Sequence, residues 1–290
     1  MTGALALEQL LNGLQLGVML FLMAAGLTLV FGVMNLINLA HGSLYMLGAY
    51  FAAALQQATG SFVLAVVLAL PLAALVGMLV EIVVLRTLYA RDHLDQVLAT
   101  FGLILFLNEA VRIGWGPAAY FLDPPSLLRG TVEILPGLPY PAYRLAILGV
   151  GLAVAAFLFW LIGHTRLGML IRAGASNREM VGVLGVNIRV IYTLVFGLGA
   201  ALAALAGAMA GPILAVQVGM GESILILTFV VIVIGGIGSV PGALLAALLV
   251  GIVDTFGRVL LPPAVSEMSI YLVMAAILFL RPRGLFPARA

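Results

Sequence analysis

Long apolar runs alternate with short polar segments along almost the whole chain. Most of these runs could cross a hydrocarbon core of roughly 30 Å, which takes about 20 helical residues. They lack the alternation of apolar and polar residues that marks membrane β-strands. The pattern predicts an all-α fold, a polytopic transmembrane helical bundle with eight or nine membrane segments. The predicted segments are residues 10–33, 35–55, 62–85, 95–113, 145–163, 190–213, 222–238, 241–261 and 268–280.

The composition agrees with a membrane protein and excludes several other classes. Only 8% of the 290 residues are charged, against about one-quarter in globular domains. All thirteen basic residues are arginine, so the chain lacks the lysine that a phosphate-binding P-loop requires. With no cysteine and three separated histidines, we predict no metal site and no cofactor. The small net charge of +2 gives no reason to expect a nucleic-acid partner.

The arginines predict which loops face the cytoplasm. They concentrate in the connection 164–190, in the turn 86–91 and in the tail 281–290, which includes Arg289. The proline-rich connection 114–143 has one arginine and should lie outside the cell. No loop is long enough to hold a second domain, so residues 1–290 should form a single transmembrane domain.

The first interrupted run is "GLTLVFGVMNLINLAHGSLYMLGAY" (Gly26–Tyr50), which carries four polar side chains in its middle. These residues are Asn35, Asn38, His41 and Ser43. On a continuous helix Asn35, Asn38, Gly42, Tyr45 and Ala49 would form one polar or small stripe. The stripe must face protein or water, because unsatisfied polar groups cost several kcal/mol in hydrocarbon. It therefore either joins neighbouring helices or lines a solvated path beside a broken helix.

The second interrupted run is "FVVIVIGGIGSVPGALLAALLVG" (Phe229–Gly251). Glycine and proline together unwind a helix unless neighbouring groups satisfy its backbone. Breaks in both halves of a transporter indicate the transport path, but a tight hairpin without contact to substrate fits the pattern too. The residues of this break are Gly235, Gly236, Gly238, Ser239, Pro241 and Gly242.

The third feature is the basic connection Thr165–Val190. Ser176 and Glu179 match the S-x-x-E capping box, which predicts a short helix over about 177–184 that ends at Gly185. One face of this helix is apolar. Such a helix can dock on a soluble partner or lie flat in the lipid interface.

Ionisable residues inside the apolar runs are candidate functional groups. Asp254 and Arg258 are four residues apart and can neutralise one another on a helix. Glu109 and Arg112 can pair in the same way, and Glu81 lies near the end of its run. We expect structural roles for these groups, and we expect Glu222 at the outer rim.

Four segments together resemble one family, the membrane permease of branched-chain amino-acid ABC importers, the LivH-like group. They are Gly26–Tyr50, the stretch "TRLGMLIRAGASNREMVGVLGVN", the stretch "VIVIGGIGSVPGALLAALLVG" and the tail "LRPRGLF". The four span nearly the whole chain in this order. The resemblance implies a bacterial inner-membrane subunit that is not itself an enzyme and translocates hydrophobic amino acids by alternating access.

The resemblance also implies partners. These are a second homologous permease, two cytoplasmic ATP-binding subunits, an extracytoplasmic substrate-binding protein and the membrane lipid. The connection 164–190 resembles the loop that couples the permease to an ATPase. Its contact residues would be Arg166, Gly168, Arg172, Ala173, Asn177, Glu179 and Gly185.

The two interrupted runs would then line or brace the path of the substrate. The residues expected there are Asn35, Asn38, His41, Gly42, Ser43, Tyr45, Gly235, Gly236, Gly238, Ser239 and Pro241. Related permeases import urea or short amides, so that substrate class stays open. An ion-coupled secondary transporter is a further alternative, with Asp254 as its deepest carboxylate.

Overall fold

Residues 3–286, which a computed structural model describes, form eleven α-helices and one β-hairpin. This all-α bundle confirms the predicted fold class. Arg289 lies outside the described residues. The helices are α1 (Gly3–Met34), α2 (His41–Thr59), α3 (Phe62–Val83), α4 (His93–Trp115), α5 (Ala142–His164), α6 (Arg166–Ser176), α7 (Arg178–Val183), α8 (Ile188–Ala210), α9 (Met220–Gly235), α10 (Val240–Leu260) and α11 (Pro263–Leu280).

Each predicted membrane segment corresponds to one helix, and seven of the helices described between residues 3 and 286 are long and apolar enough to span a bilayer. The exceptions are α2 and α9, which come from the two runs with interruptions. Although α2 has 19 residues, it carries polar side chains at both ends. With 16 residues, α9 is about 24 Å long, which is shorter than a bilayer core of roughly 30 Å.

The centre of the bundle consists of α1 and α8, which are mostly buried. Helix α10 packs along α1, and α2 and α3 pack against α8. The outer helices α3, α4, α5 and α11 expose large apolar side chains, as expected for surfaces in contact with lipid. Many glycines lie at the central crossings, where small residues let membrane helices approach closely.

The chain between α4 and α5 contains a structure that the sequence analysis missed. Strands β1 (Thr131–Leu135) and β2 (Leu138–Pro141) form an antiparallel hairpin. Its two-residue turn is Pro136-Gly137, and Gly137 has a φ of 83°. A Pro-Gly pair between apolar residues is the signal that could have predicted this hairpin.

Contacts at the two ends of the bundle agree with the sides of the membrane that the arginines predict for the loops. At one end, Arg86 donates a hydrogen bond to Thr193, close to the connection 164–190. At the other end, the hairpin residue Tyr140 donates to Asn12 of α1, and Gln56 of α2 donates to the carbonyl of Asp123. The first half of α1 therefore lies at the same end as the connection 114–143.

Candidate functional site

The first interruption is a break between two helices, α1 and α2. The chain does not form one continuous helix through this run. Residues 35–40 are not helical, and Asn35 has a φ of 53°, the left-handed conformation that ends α1. The predicted stripe from Asn35 to Ala49 is therefore wrong as a single helical face. Only Gly42, Tyr45 and Ala49 share a helix, because the chain reverses its direction before His41.

Asn38 organises this reversal. Its Oδ1 accepts a hydrogen bond from the backbone N–H of Ala40 at 3.0 Å, which is an Asx-turn just before α2. The side chain is buried, and its Nδ2 has no hydrogen-bond partner among residues 3–286. Asn38 thus holds the backbone with one atom and leaves the other free to bind a further group.

His41 begins α2 inside the bundle. Its ring is buried beside the backbone of Met23 and Gly26, and neither ring nitrogen makes a hydrogen bond of normal geometry. The hydroxyl of Thr28 on α1 is also buried and has no hydrogen-bond partner in the part of the chain that the structure describes. Unpaired polar groups are costly in a membrane interior, so they are candidates for contact with water or substrate in another conformation.

The starts of α2 and α9 meet deep in the bundle. Gly42 of α2 and Gly221 of α9 touch backbone to backbone. Beside them α1 crosses α8, where a Cβ on Gly26 would lie 2.7 Å from the carbonyl oxygen of Gly199. Since Gly199 is the middle residue of the membrane-spanning helix α8, both short helices begin near half depth. Two discontinuous helices that begin at this depth are typical of transporter binding regions.

The second interruption lies at a different place from the first. Gly236 and Gly238 have φ values of 98° and 81°, and Ser239 caps α10 by accepting a hydrogen bond from Gly242 N–H at 3.1 Å. The loop touches Gly32 near the end of α1. Backbone N–H groups of Leu285 and Phe286 donate to the carbonyls of Ile234 and Gly235, so the tail is attached to the same loop.

The connection between α5 and α8 contains two helices where one was predicted. Helix α6 is capped by Thr165, whose Oγ1 accepts from Gly168 N–H at 3.0 Å. The predicted capping box at Ser176 is wrong, because Ser176 ends α6 and Asn177 caps α7 through Met180 N–H at 2.9 Å. Gly185 has the left-handed φ of 83° expected after a helix end.

Most of the apolar face of α7 has no cover in the described chain, although Val181 is buried. Val183 is 83% exposed, and Met180 and Leu184 are also exposed. The same connection carries Arg166, Arg172, Arg178 and Arg189. An apolar patch at an arginine-rich end of a membrane protein indicates contact with another protein or with the lipid surface.

One large cavity connects the second interruption with α6 and α7. It has a volume of about 920 Å³ and lies between the end of α1, α6, α7 and the loop before α10. Among the predicted residues, it brings together Asn35, Gly238, Ser239, Pro241, Arg172, Asn177 and Glu179. It does not include His41, Gly42, Ser43 or Tyr45, which surround the start of α2.

The deep acidic groups with structural interpretations are paired, Asp254 with Arg258 as expected and Glu81 with Arg86, a pair that the sequence analysis did not predict. Arg258 donates to Asp254 at 2.9 Å, and Arg86 lies 2.9 Å from Glu81. Glu81 is buried and also accepts hydrogen bonds from Tyr89 and Thr193, each at 2.7 Å. Burial and the hydrogen bond to Glu81 raise the pKa of Tyr89, so its hydroxyl stays a donor.

Glu222, which was expected at the outer rim, lies where the start of α9 meets α2 and α4. Glu222 lies in the first turn of α9, directly after the contact between Gly221 and Gly42, and therefore near half depth. Its carboxylate accepts a hydrogen bond from Asn108 Nδ2 of α4 at 2.7 Å. Nothing in the residues around Glu222 indicates this depth, because α9 begins inside the bundle, whereas a continuous span was expected.

Comparisons with known proteins agree with this architecture. The family model described as "Branched-chain amino acid transport system / permease component" matches residues 9–278. The chain belongs to this permease family. The branched-chain amino-acid permease BraD of Pseudomonas aeruginosa is 31% identical over 96% of this chain and 95% of its own length. LivH of Escherichia coli K12 is 30% identical over 96% and 94%.

A sugar permease is also related. The ribose import permease RbsC of Escherichia coli K12 is 28% identical over 86% of this chain and 77% of its own length. No solved structure matches the chain. The permease is therefore a multi-pass inner-membrane transport subunit and not an enzyme, and it works with ATP-binding and substrate-binding components.

Proposed function

We propose that the permease imports branched-chain amino acids by alternating access, driven by ATP that partner subunits hydrolyse. BraD and LivH, whose names state this substrate class, align with almost the full chain. The sugar permease aligns with less of it. The architecture alone does not select the substrate, so the nearly complete alignment to amino-acid permeases supports this choice.

The cavity of about 920 Å³ is the observation that carries the mechanism. Residues of the loop before α10 and residues of α6 and α7 form its wall together. A force on α7 from a moving ATPase would therefore act directly on the wall of this cavity. We assign the connection 164–190 to the ATPase contact and the cavity to the cytoplasmic exit of the path.

The start of α2 supplies the middle of the path in this proposal. His41, Asn38 and Thr28 carry unpaired polar atoms, and Ser43 and Tyr45 follow on α2. When α2 moves relative to α1 and α8, these atoms would meet water or the ends of a zwitterionic substrate. Weak polar contacts in a mostly apolar path suit transport, because tight binding would slow release.

Exposed apolar residues at both ends support the proposed partners. Val183 of α7 would be covered by a cytoplasmic ATP-binding subunit. At the opposite end Leu127 is 93% exposed and Phe121 is also exposed, which fits a contact with the extracytoplasmic binding protein. We propose a complex of this chain with a second, homologous permease and two ATP-binding subunits.

Purification of the tagged full chain from native membranes tests this assembly. We expect a second permease and two ATP-binding subunits to copurify. Val183→Asp should remove the ATP-binding subunits and leave the second permease bound, whereas Leu127→Asp, at the other end, should leave both bound. Recovery of the wild-type chain alone would contradict the proposal, as would copurification of the ATP-binding subunits with Val183→Asp.

Reconstitution of that complex with its binding protein tests the substrate. We expect ATP-dependent accumulation of leucine and no accumulation of urea in the same vesicles. Transport of urea without leucine would support the amide alternative and overturn the proposed substrate. Accumulation that needs an ion gradient and no ATP would overturn the mechanism.

A further inference from the structure

The start of α9 places a carboxylate on a surface where lipid cannot satisfy it. Glu222 is exposed, yet it follows Gly221, which contacts Gly42 near half depth of the bundle. An ionised side chain at this depth normally faces the interior of the protein, a partner or a water-filled cavity. The surface that carries Glu222 is therefore not a lipid-facing surface in the assembled transporter.

The pairing of Glu222 differs from that of the other deep acidic residues. Glu81 and Asp254 each have an arginine within 2.9 Å. Between residues 3 and 286, no basic side chain lies within 4.0 Å of the Glu222 carboxylate. Its hydrogen bond goes to the neutral Asn108 of α4 and not to the backbone of its own helix. Asn108 therefore holds the carboxylate in place without a basic partner among the described residues.

A narrow crevice lies beside this carboxylate, between α2, α4 and α9. Its polar lining comes from Ser43, Asn108 and Glu222, and Ser43 is only 4% exposed. Its apolar lining includes Leu39, Ile104 and Leu225. In this conformation it has no room for a water molecule, so a ligand could enter only after α4 or α9 moves. Helix α4 packs mainly on α2 and is the less restrained of the two.

We infer that this crevice is a water-accessible station on the transport path, where Glu222 binds the ammonium group of the substrate. Asn108 positions the carboxylate, and the apolar lining receives an aliphatic side chain. This inference deepens the proposed function and rests on it. A sugar or an uncharged amide has no ammonium group, so the carboxylate would favour amino acids over these substrates.

Replacement of the charge alone tests the binding role. Glu222→Gln keeps an oxygen that can accept the hydrogen bond from Asn108. In the reconstituted complex, we expect at least a tenfold lower rate of leucine uptake with normal assembly. Glu109→Gln removes an exposed acid one residue from Asn108 and should transport normally. Leucine uptake by Glu222→Gln within twofold of wild type would overturn the inference.

The absence of cysteine from the chain allows a direct test of access to water. In the full complex, Glu222→Cys should react with a positively charged methanethiosulfonate reagent, and leucine should slow the reaction. Phe106, which is 66% exposed, lies on another face of α4 close to Asn108 in depth. Phe106→Cys is the matched control and should not react.

The two tests separate the inference from the proposed function. If wild type does not transport leucine, the proposed substrate fails, while the reaction of Glu222→Cys still decides whether the crevice is open to water. If wild type transports leucine and Glu222→Cys does not react at any stage of ATP turnover, the inference fails alone.

Discussion

Gly42 at the start of α2 and Gly221 at the start of α9 pack so closely that neither position has room for a methyl group. Each glycine lies against the backbone of the other. The contact joins the two short helices near half depth, beside the crossing of α1 and α8 at Gly26 and Gly199. Any rearrangement that opens a path between α2 and α9 must change this contact.

A methyl group at the contact should therefore destabilise the protein. We expect Gly221→Ala to lower the free energy of unfolding by about 1–3 kcal/mol, the usual cost of an overpacked interior. Gly149→Ala is the control, because nothing lies within 4 Å of its added Cβ and alanine favours helix. Thermal unfolding of the purified chain in detergent would measure both.

The unfolding temperatures of the two variants show whether the contact between Gly42 and Gly221 is tightly packed. Gly221→Ala should unfold at a lower temperature than wild type, and Gly149→Ala at the same or a higher temperature. Equal unfolding temperatures for Gly221→Ala and wild type would show that the two helix starts are less tightly packed than the structure indicates.

Asn38 should tolerate aspartate better than leucine. An aspartate keeps the Oδ1 that accepts the Ala40 N–H, whereas Asn38→Leu loses that acceptor and leaves a buried donor without a partner, at about 1–3 kcal/mol. We expect Asn38→Leu to abolish uptake and to lower the yield of assembled complex. Asn38→Asp should assemble, with uptake reduced because a charge replaces the unpaired Nδ2.

Measurement of assembly and uptake together distinguishes the two roles of Asn38. Size-exclusion chromatography of the complex reports assembly, and vesicle uptake reports transport. Normal uptake by Asn38→Asp would show that the Nδ2 atom of Asn38 is not needed for transport. Normal assembly of Asn38→Leu would show that the Asx-turn is not needed for folding.

The sequence predicts the membrane helices, but it does not predict the depth at which each of them begins. Apolar runs are set by local composition, so each of the nine predicted segments corresponds to a helix. The start of α2 was placed too early, because nothing in the spacing of Asn35, Asn38 and Gly42 shows where the chain reverses. That reversal depends on the left-handed Asn35 and on the Asx-turn of Asn38, which are backbone features.

The sequence analysis named the candidate site residues one by one, but it did not predict how they are arranged. The two interruptions were expected to work together, but at the large cavity only Asn35 of the first interruption meets the second interruption, α6 and α7. The start of α2, which follows the first interruption, contacts the start of α9 through Gly42 and Gly221. This pairing links residues far apart in the chain, so periodicity within one segment carries no information about it.

Glu81 and Arg86 should behave as a buried charged pair. Glu81 is fully buried, so Arg86→Met would leave its carboxylate with only the hydroxyls of Tyr89 and Thr193. Breaking a buried pair from one side leaves an uncompensated buried charge, whereas replacing both partners by apolar residues costs much less. Because Arg86 is partly exposed, we expect Arg86→Met to lower the unfolding temperature by less than the loss of a fully buried partner would.

A double-mutant cycle measures this coupling. Glu81→Leu with Arg86→Met should be more stable than Arg86→Met alone, by thermal unfolding in detergent. If the double variant is as unstable as the sum of the two single variants, the pair does not interact energetically. The same cycle with Glu109 and Arg112, an exposed pair at 3.4 Å, should show little coupling.

Asp254 should not be needed for energy coupling. An ion-coupled transporter needs a carboxylate that gains and loses its cation in the path. Asp254 is bound to Arg258 at 2.9 Å, and it lies thirteen residues, or about 20 Å, along α10 from Pro241 at the cavity. We expect vesicles with Asp254→Asn to retain leucine uptake within about twofold, and uptake to continue with an uncoupler while ATP is present. Loss of uptake in Asp254→Asn with normal assembly, or loss of wild-type uptake on addition of the uncoupler, would instead assign Asp254 to ion coupling and overturn the ATP-driven mechanism.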